Sequence, residues 1–477
     1  MRTPFLAPLA LTLAAQTPQE VPTTLKDQQA LAVTIYNDNL ALVKDQREVR
    51  LPKGMAALAF QEVSAQIRPE TALLRNLTSS KDFWVAEQNF DFDLLTPAKL
   101  LEKYVGEQVT VVRTVPNADG AGAKEVRETA TVLATNSGTV LQFADRIETS
   151  VPGRLIFPKV PDNLRARPTL VVSLHSPVEK PQKLELSYLT GGLSWRADYV
   201  INLAPDEKAM DLNGWVTLTN QSGTAYPNAT LQLVAGDVNR AREAAMPEMA
   251  MMSRAKAMPA APRMQEESLF EYHLYTLDRP TTLKESQTKQ VALLSASSIP
   301  TRKEYLLQGQ SHYYSDAYGD LGQRLKVGVF VEFDNRTEAN LGLPMPKGIV
   351  RVYKRDSEGR PQFVGEDRID HTPKNETLRL KLGEAFDITA NRKQTDFKKL
   401  GGTGRYNYTF ESAFEVELRN AKKEAITVSV LEPMPGDWEL LQQSHPSTKE
   451  TSGTARFKVT VPAEGKATLT YRVRIRQ

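Results

Sequence analysis

A chain of 477 residues exceeds what one ordinary hydrophobic core organises, and 40% hydrophobic with 25% charged residues is a globular composition. Lys+Arg at 60 against Asp+Glu at 57 leaves a net charge of only +3, which removes the electrostatic case for nucleic acid or an anionic membrane as partner. The absence of cysteine excludes disulfides, thiolate zinc sites, cysteine nucleophiles, Fe–S clusters and the lipidated cysteine of a lipoprotein anchor.

The N-terminus, MRTPFLAPLALTLAAQTPQE, carries one positive charge at Arg2, an apolar run from Phe5 to Ala15, and then small and polar residues. That layout predicts a secretory signal peptide over residues 1–15, cleaved near Ala14 or Ala15, and a periplasmic or secreted mature protein. No other stretch approaches the roughly 18 apolar residues of a membrane helix, so no transmembrane anchor is expected.

From residue 30 onward strand signals dominate. In LAVTIY, Leu31, Val33 and Ile35 alternate with Ala32, Thr34 and Tyr36, and LALVKDQREVRLP follows across Asn37–Asn39 as a hairpin partner. Lys53-Gly54 turns the chain into MAALAFQEV. One helix is predicted: Thr96 as N-cap, Pro97 at the first position, then Leu100, Leu101 and Tyr104 on one side before Gly106. Short strands and a Gly-rich turn after it suggest a small barrel or open sheet, closed near residue 168 by VPGRLIFPKVPDNLRARP.

In the centre, Gly191-Gly192 bends the chain before SWRADYVINL, where Trp195, Ala197, Tyr199, Ile201 and Leu203 share one face. Three later stretches share a pattern: an alternating strand, an asparagine (Asn220, Asn335, Asn420), a polar turn and a second strand. Each side-chain amide is placed to bond the turn backbone, and the threefold occurrence argues for Ig-like β-sandwich modules. Near the C-terminus, Phe457, Val459 and Val461 face Leu469, Tyr471, Val473 and Ile475 across a turn, with Trp438 expected as the large core residue. The last strand, TYRVRIRQ, places Arg472, Arg474 and Arg476 on one solvated face.

The expected fold is therefore mainly β and multi-domain, with Ig-like β-sandwich modules plus a small N-terminal barrel-like unit bearing one short helix. Its parts are an N-terminal β domain over 28–168 with the barrel-like insertion at about 97–147, a central β-sandwich over 169–400, and a C-terminal Ig-like sandwich over 404–477. The central domain carries a Met/Ala/Pro-rich insertion over 240–266, holding Met246, Met249, Met251, Met252, Met258 and Met264. Its prolines and its cations Arg242, Arg254, Lys256 and Arg263 favour a flexible connector over a partner contact or a Cu(I) trap.

Three passages occur in order: YLTGGLSWRADYVINL with GWVTLTNQSGTAYPNATLQLVAG, LFEYHLYTLDRPTTL with KQVALL, and GLPMPKGIVRVYKRDSEGRPQFVGEDRIDHTP. Together they resemble the bacterial domain-of-unknown-function family 4139, some of whose members are described as mucoidy inhibitor-like. The resemblance runs from about Ala32 to the C-terminus. It implies a secreted, mostly β protein of the bacterial envelope and assigns no reaction, ligand or catalytic residue. The long heptad-patterned helical region of the mucoidy inhibitor-like members has no counterpart here.

Direct signals of chemistry are sparse. His175, His273, His312, His371 and His445 show no metal-forming spacing, and no nucleophile elbow, phosphate loop or dinucleotide fingerprint occurs. No catalytic residue, cofactor or metal is therefore expected from these motifs. Gly401–Tyr406 reads as a linker. Asp91 with Asp93, and Glu366, Asp367 and Asp370, are acid groupings of the kind that glycoside hydrolysis employs. In QSHYYSDAYGD, His312, Tyr313, Tyr314, Asp316 and Tyr318 form the first choice for a ligand contact, through stacking or cation binding. Two function classes follow. One is a non-enzymatic binding or structural module for an unknown protein or glycan of the envelope. The other is a periplasmic hydrolase acting on cell-wall or exopolysaccharide glycans through a carboxylate pair.

Overall fold

The alternating apolar and polar runs become strands almost throughout the computed structural model. It describes residues 20–37, 39–79, 81–91, 93–117, 122–161, 164–236, 264–269, 272–402 and 406–477. The predicted signal peptide and nearly all of the methionine-rich insertion lie outside the described residues, as do residues 403–405 of the Gly401–Tyr406 segment.

The chain divides into two compact units with interleaved segments. The first comprises the chain to Trp195 with Leu218–Val234 and Tyr275–Lys289; the second comprises Arg196–Thr217, Ala235–Leu274 and Gln290–Gln477.

In the first unit the predicted hairpin forms. Gln28–Tyr36 and Leu40–Leu51 pair antiparallel, with Asn39 in the left-handed region at φ 46°. A four-stranded sheet runs in the order Glu20–Thr23, Gly54–Gln61, Thr169–Ser176 and Trp84–Asp91. The short helix Pro97–Lys103 starts as expected, Thr96 accepting from the Lys99 amide at 3.1 Å. Leu100 and Leu101 of that helix pack on a small core of Tyr104, Val109, Val111, Ala130, Val132, Leu141 and Phe143. The insertion is an open sheet of five strands, extending to Arg154–Ile156 and not closed into a barrel.

One strand arrangement occurs in both units. In the first, Gln28–Tyr36 pairs parallel with Tyr226–Ala235, from Ala32↔Thr230 to Tyr36↔Val234. Its other neighbour, Leu40–Leu51, pairs antiparallel with Lys180–Thr190. In the second, Arg302–Gln308 pairs parallel with Ile426–Pro433, from Tyr305↔Val428 to Gln308↔Leu431. Its antiparallel neighbour, Asp320–Asp334, pairs in turn with Thr377–Leu400. The turns that lead into the parallel strands are pinned alike. Asn220 Nδ2 donates to the carbonyls of Thr224 (2.9 Å) and Lys284 (3.0 Å), while its Oδ1 accepts from the Ser222 amide (3.1 Å). Asn420 Nδ2 donates to Glu424 (2.8 Å) and Pro462 (3.0 Å), and its Oδ1 accepts from the Lys422 amide (3.0 Å). Asn335 is equally buried but reaches further along the chain, to Gly342, Leu343 and Pro373. All three amides thus bond turn backbone, as their positions predict.

The nine-stranded sheet of the second unit wraps around one core. Leu307, Ile388, Phe414, Val416, Val428, Val430, Phe457, Val459, Leu469, Tyr471 and Val473 fill it. Trp438 is not its centre. The indole sits at the rim, donating from Nε1 to the Ser452 carbonyl at 2.7 Å with Lys449 over its ring, because Tyr314, Phe414, Phe457 and Tyr471 already occupy the interior. The arginine row of the last strand is neutralised by acids of the same sheet: Arg474 by Glu411 and Arg476 by Glu439 on the two adjacent strands, and Arg472 by Asp396 one strand further on.

Candidate functional site

The segment Gln310–Asp320 leaves the strand Arg302–Gln308, forms a single 3-10 turn over Ser311–Tyr314, and enters Asp320–Asp334. Gln394, on the strand Thr377–Leu400, holds it at several points. Its Oε1 accepts from the Tyr318 amide (2.7 Å), its Nε2 donates to the carbonyls of Tyr313 (3.1 Å) and Asp316 (3.0 Å), and its own amide donates to Gly319 (2.7 Å). The loop is thereby held in one conformation by a nearly buried amide.

The five predicted contact residues separate into two sets. Tyr313 and Tyr314 turn inward and are buried, while His312, Asp316 and Tyr318 remain at the surface. His312 packs edge-on against Tyr313, with centroids 4.7 Å apart, and against Tyr318 at 5.6 Å. Asp316 Oδ1 accepts from the Ala317 amide. The exposed set forms a small cluster of rings standing on a buried footing.

That footing is a charged network. Tyr314 donates its hydroxyl to Glu432 Oε2 at 3.0 Å and meets the Tyr471 hydroxyl at 3.1 Å. Arg392 donates from Nη1 to the same Oε2 at 2.8 Å, and its guanidinium lies over the Tyr313 ring at 5.2 Å. Neither Arg392 nor Glu432 exposes its side chain. Burial pushes the Tyr314 and Tyr471 hydroxyls well above the usual tyrosine range, and the Glu432 charge adds to this. Burial opposes the Arg392 charge, but Glu432 outweighs it and holds the guanidinium firmly protonated. At neutral pH the network therefore has no hydroxyl ready to act as a base. It anchors the loop above it.

The pair is sparsely bonded for its burial: Arg392 Nε and Nη2 and Glu432 Oε1 have no partner among the described residues. Arg47 in the first unit is the contrast. Its Nε and Nη2 donate to Asp45, and its Nη1 and Nη2 reach the carbonyls of Thr23 and Gln61. Gly309 completes the constraint around Arg392. A Cβ there would collide with Glu432 Oε2 and stand 2.7 Å from Arg392 Nη1.

Four of the five acids in the predicted groupings are engaged elsewhere, and Asp370 accepts from the Thr372 hydroxyl through its backbone carbonyl. Asp91 accepts from Arg165 Nε at 2.9 Å. Asp93 lies 2.7 Å from Lys103 Nζ, whose hydrogen bond holds it below the usual carboxylate range. Glu366 pairs with Arg351 at 3.3 Å, and Asp367 accepts from the Lys381 amide at 2.7 Å. Among the described residues no group of three or more His, Asp or Glu is placed to hold a metal ion.

The sequence model of a family described as a domain of unknown function, DUF4139, matches residues 184–477. The chain belongs to this family. A search of curated proteins returns no match. The DUF4139 segment contains the loop Gln310–Asp320, Arg392, Glu432, Tyr471 and two further features that sequence reasoning did not single out. One is Gly309, whose only signal is a glycine just before the Tyr-rich loop. The other is Glu207, clamped by Lys354 (2.6 Å) and Lys303 (2.7 Å) beside a cleft of about 180 Å³ walled by Leu203, Val329, Val331 and Leu382. Burial opposes the Glu207 charge, yet the two ammonium groups hold it below the usual carboxylate range. No local pattern announces it, since its partners lie far along the chain.

Proposed function

We propose that this member of DUF4139 is a periplasmic or secreted protein of the bacterial envelope. Its Ig-like β-sandwich modules serve as a non-enzymatic scaffold, and the ring cluster of His312 and Tyr318 is its contact surface for an envelope protein or glycan. One observation carries this reading: the exposed rings belong to a loop already fixed by Gln394, Tyr313 and Tyr314, so binding costs little ordering entropy. The hydrolase alternative is weakened, because four of the five acids that suggested it, Asp91, Asp93, Glu366 and Asp367, are taken up by Arg165, Lys103, Arg351 and a backbone amide. The N-terminal layout supports export, and a cleaved N-terminus near Ala14 or Ala15 on the exported protein would test it.

The test of the contact surface is crosslinking in the native envelope followed by mass spectrometry, comparing the natural chain with His312→Ala/Tyr318→Ala. The expected result is a defined protein or glycan adduct that the double variant loses while its melting temperature is unchanged. Recovery of no adduct, or equal recovery with the variant, overturns the reading.

A further inference from the structure

In the four-stranded sheet of the first unit, His175 pairs with Met55 on one side and with Trp84 on the other. Residues directly opposite in a sheet project from the same face, so these three form one cross-strand row. The indole of Trp84 and the imidazole of His175 lie nearly parallel, with planes 10° apart and centroids separated by 5.6 Å. Trp84 is 50% exposed and Met55 45%. Tryptophan ordinarily buries most of its large surface. Here one sits on an edge strand as a flat platform.

The groups around the platform indicate its occupant. His175 Nδ1 lies 3.0 Å from the Asp82 backbone carbonyl. A carbonyl can only accept, so Nδ1 carries the proton and Nε2 of the neutral ring is left as an acceptor. Further along the same face Ser173 lies between Ala57 and Glu87. One oxygen of Glu87 accepts from Asn89 Nδ2. At the other end of the sheet Arg165 bonds Glu20 on one edge strand and Asp91 on the other. Beside the indole lie three groups able to accept, His175 Nε2, the Ser173 hydroxyl and the Glu87 carboxylate, with the small Ala57 next to them and the donor Arg165 at the far end of the sheet. An acyl chain or apolar peptide would desolvate those acceptors without satisfying them. A pyranose ring instead offers a C–H face to the indole and hydroxyl donors to the acceptors at its edge.

We propose that the Met55–His175–Trp84 row is a binding site for a polysaccharide of pyranose sugars. Trp84 stacks on a ring, and His175 Nε2, Ser173 and Glu87 engage its hydroxyls. The site uses residues of the first unit only and does not depend on the role assigned to the His312–Tyr318 loop.

Isothermal titration calorimetry of the full chain against gluco-, chito-, manno- and xylo-hexasaccharides tests it. At least one sugar is expected to bind saturably. Trp84→Ala should weaken binding about tenfold or more, the scale of a lost aromatic contact, and His175→Ala and Glu87→Gln less. Trp84→Phe should retain part of the affinity. The melting temperature of Trp84→Ala should stay near that of the natural chain, separating a lost contact from lost folding. No binding by any of the four sugars, or equal affinity in Trp84→Ala, overturns the proposal. So does a Trp84→Ala variant that loses only self-association in sedimentation, which would make the row a protein contact.

Discussion

Arg392 and Glu432, 40 residues apart in sequence and on different strands, meet at 2.8 Å with neither side chain open to solvent. Among the described residues, each is the other's only counter-charge there. Desolvation of two ions offsets much of their attraction, so such a pair adds little net stability while it stays intact. Separation of the partners is what becomes expensive, because the remaining charge has neither water nor counter-ion.

Arg392→Met or Glu432→Leu alone should therefore destabilise the protein by about 3–5 kcal/mol. The double variant should recover most of that loss. Equilibrium urea denaturation of the four proteins closes the cycle. Costs that simply add would show that the two residues are not coupled.

Gly309→Ala inserts a methyl group against both members of the pair. A loss of about 1–3 kcal/mol is expected, since both side-chain ends are fully buried and bonded to each other, and moving either aside breaks that bond. In the Arg392→Met/Glu432→Leu background the charged atoms that Cβ would strike are gone. There the same substitution should cost little, and thermal melts of both pairs decide it.

Asn220→Ala and Asn420→Ala each strip a buried turn of several backbone partners. Each is expected to cost about 1–3 kcal/mol. The two share no partner, so the effects should add in the double variant. Asn→Asp should be no milder, because it removes the donor and brings a charge. Calorimetric melting of the three alanine variants checks additivity.

Asp334 sets a pH dependence of known sign. Hydrogen bonds from Arg302 and Thr377 hold its carboxyl down to about 2. An unfolded aspartate titrates near 3.9. A depressed folded-state value stabilises the fold fully above about pH 4, and the contribution disappears as pH falls through about 2. Because the pair is partly solvated, the effect should stay within about 1 kcal/mol. Asp334→Asn should be less stable than the natural chain at pH 6, and the gap should be much smaller by pH 2, where the folded-state carboxyl is half protonated. A gap as large at pH 2 as at pH 6 would sink this account.

Local physics made much of the fold readable in the sequence. The hairpin at Asn39, the Thr96 cap and the single-face alternation of Phe414, Val416 and Leu418 each depend on residues within a few positions, and the three turn asparagines bond their own turns as well as carbonyls further along the chain. What stayed hidden depends on distant partners. Nothing near Arg392 or Glu432 marks them as buried, since both residue types ordinarily sit at the surface and each is inside only because of the other. The parallel pairs between Gln28–Tyr36 and Tyr226–Ala235, and between Arg302–Gln308 and Ile426–Pro433, bridge stretches too long for periodicity to report. In the Tyr-rich loop the residue types were legible, but which tyrosines turn inward was not. A tyrosine serves equally as a core ring and as a surface platform, and the acceptor at Glu432 decides for Tyr314.

The stretch shared with the family begins at residue 184, inside the strand Lys180–Thr190. That strand's antiparallel neighbour, Leu40–Leu51, lies upstream of the boundary. So does Gln28–Tyr36, the parallel neighbour of Tyr226–Ala235. A polypeptide trimmed to residues 184–477 would leave the backbone amides and carbonyls of two central strands without their ladder partners. Bare inner edges of that kind recruit strands from other molecules. The limits of sequence kinship in this protein are therefore not limits of autonomous folding, and a soluble truncation has to keep the chain from Gln28 onward.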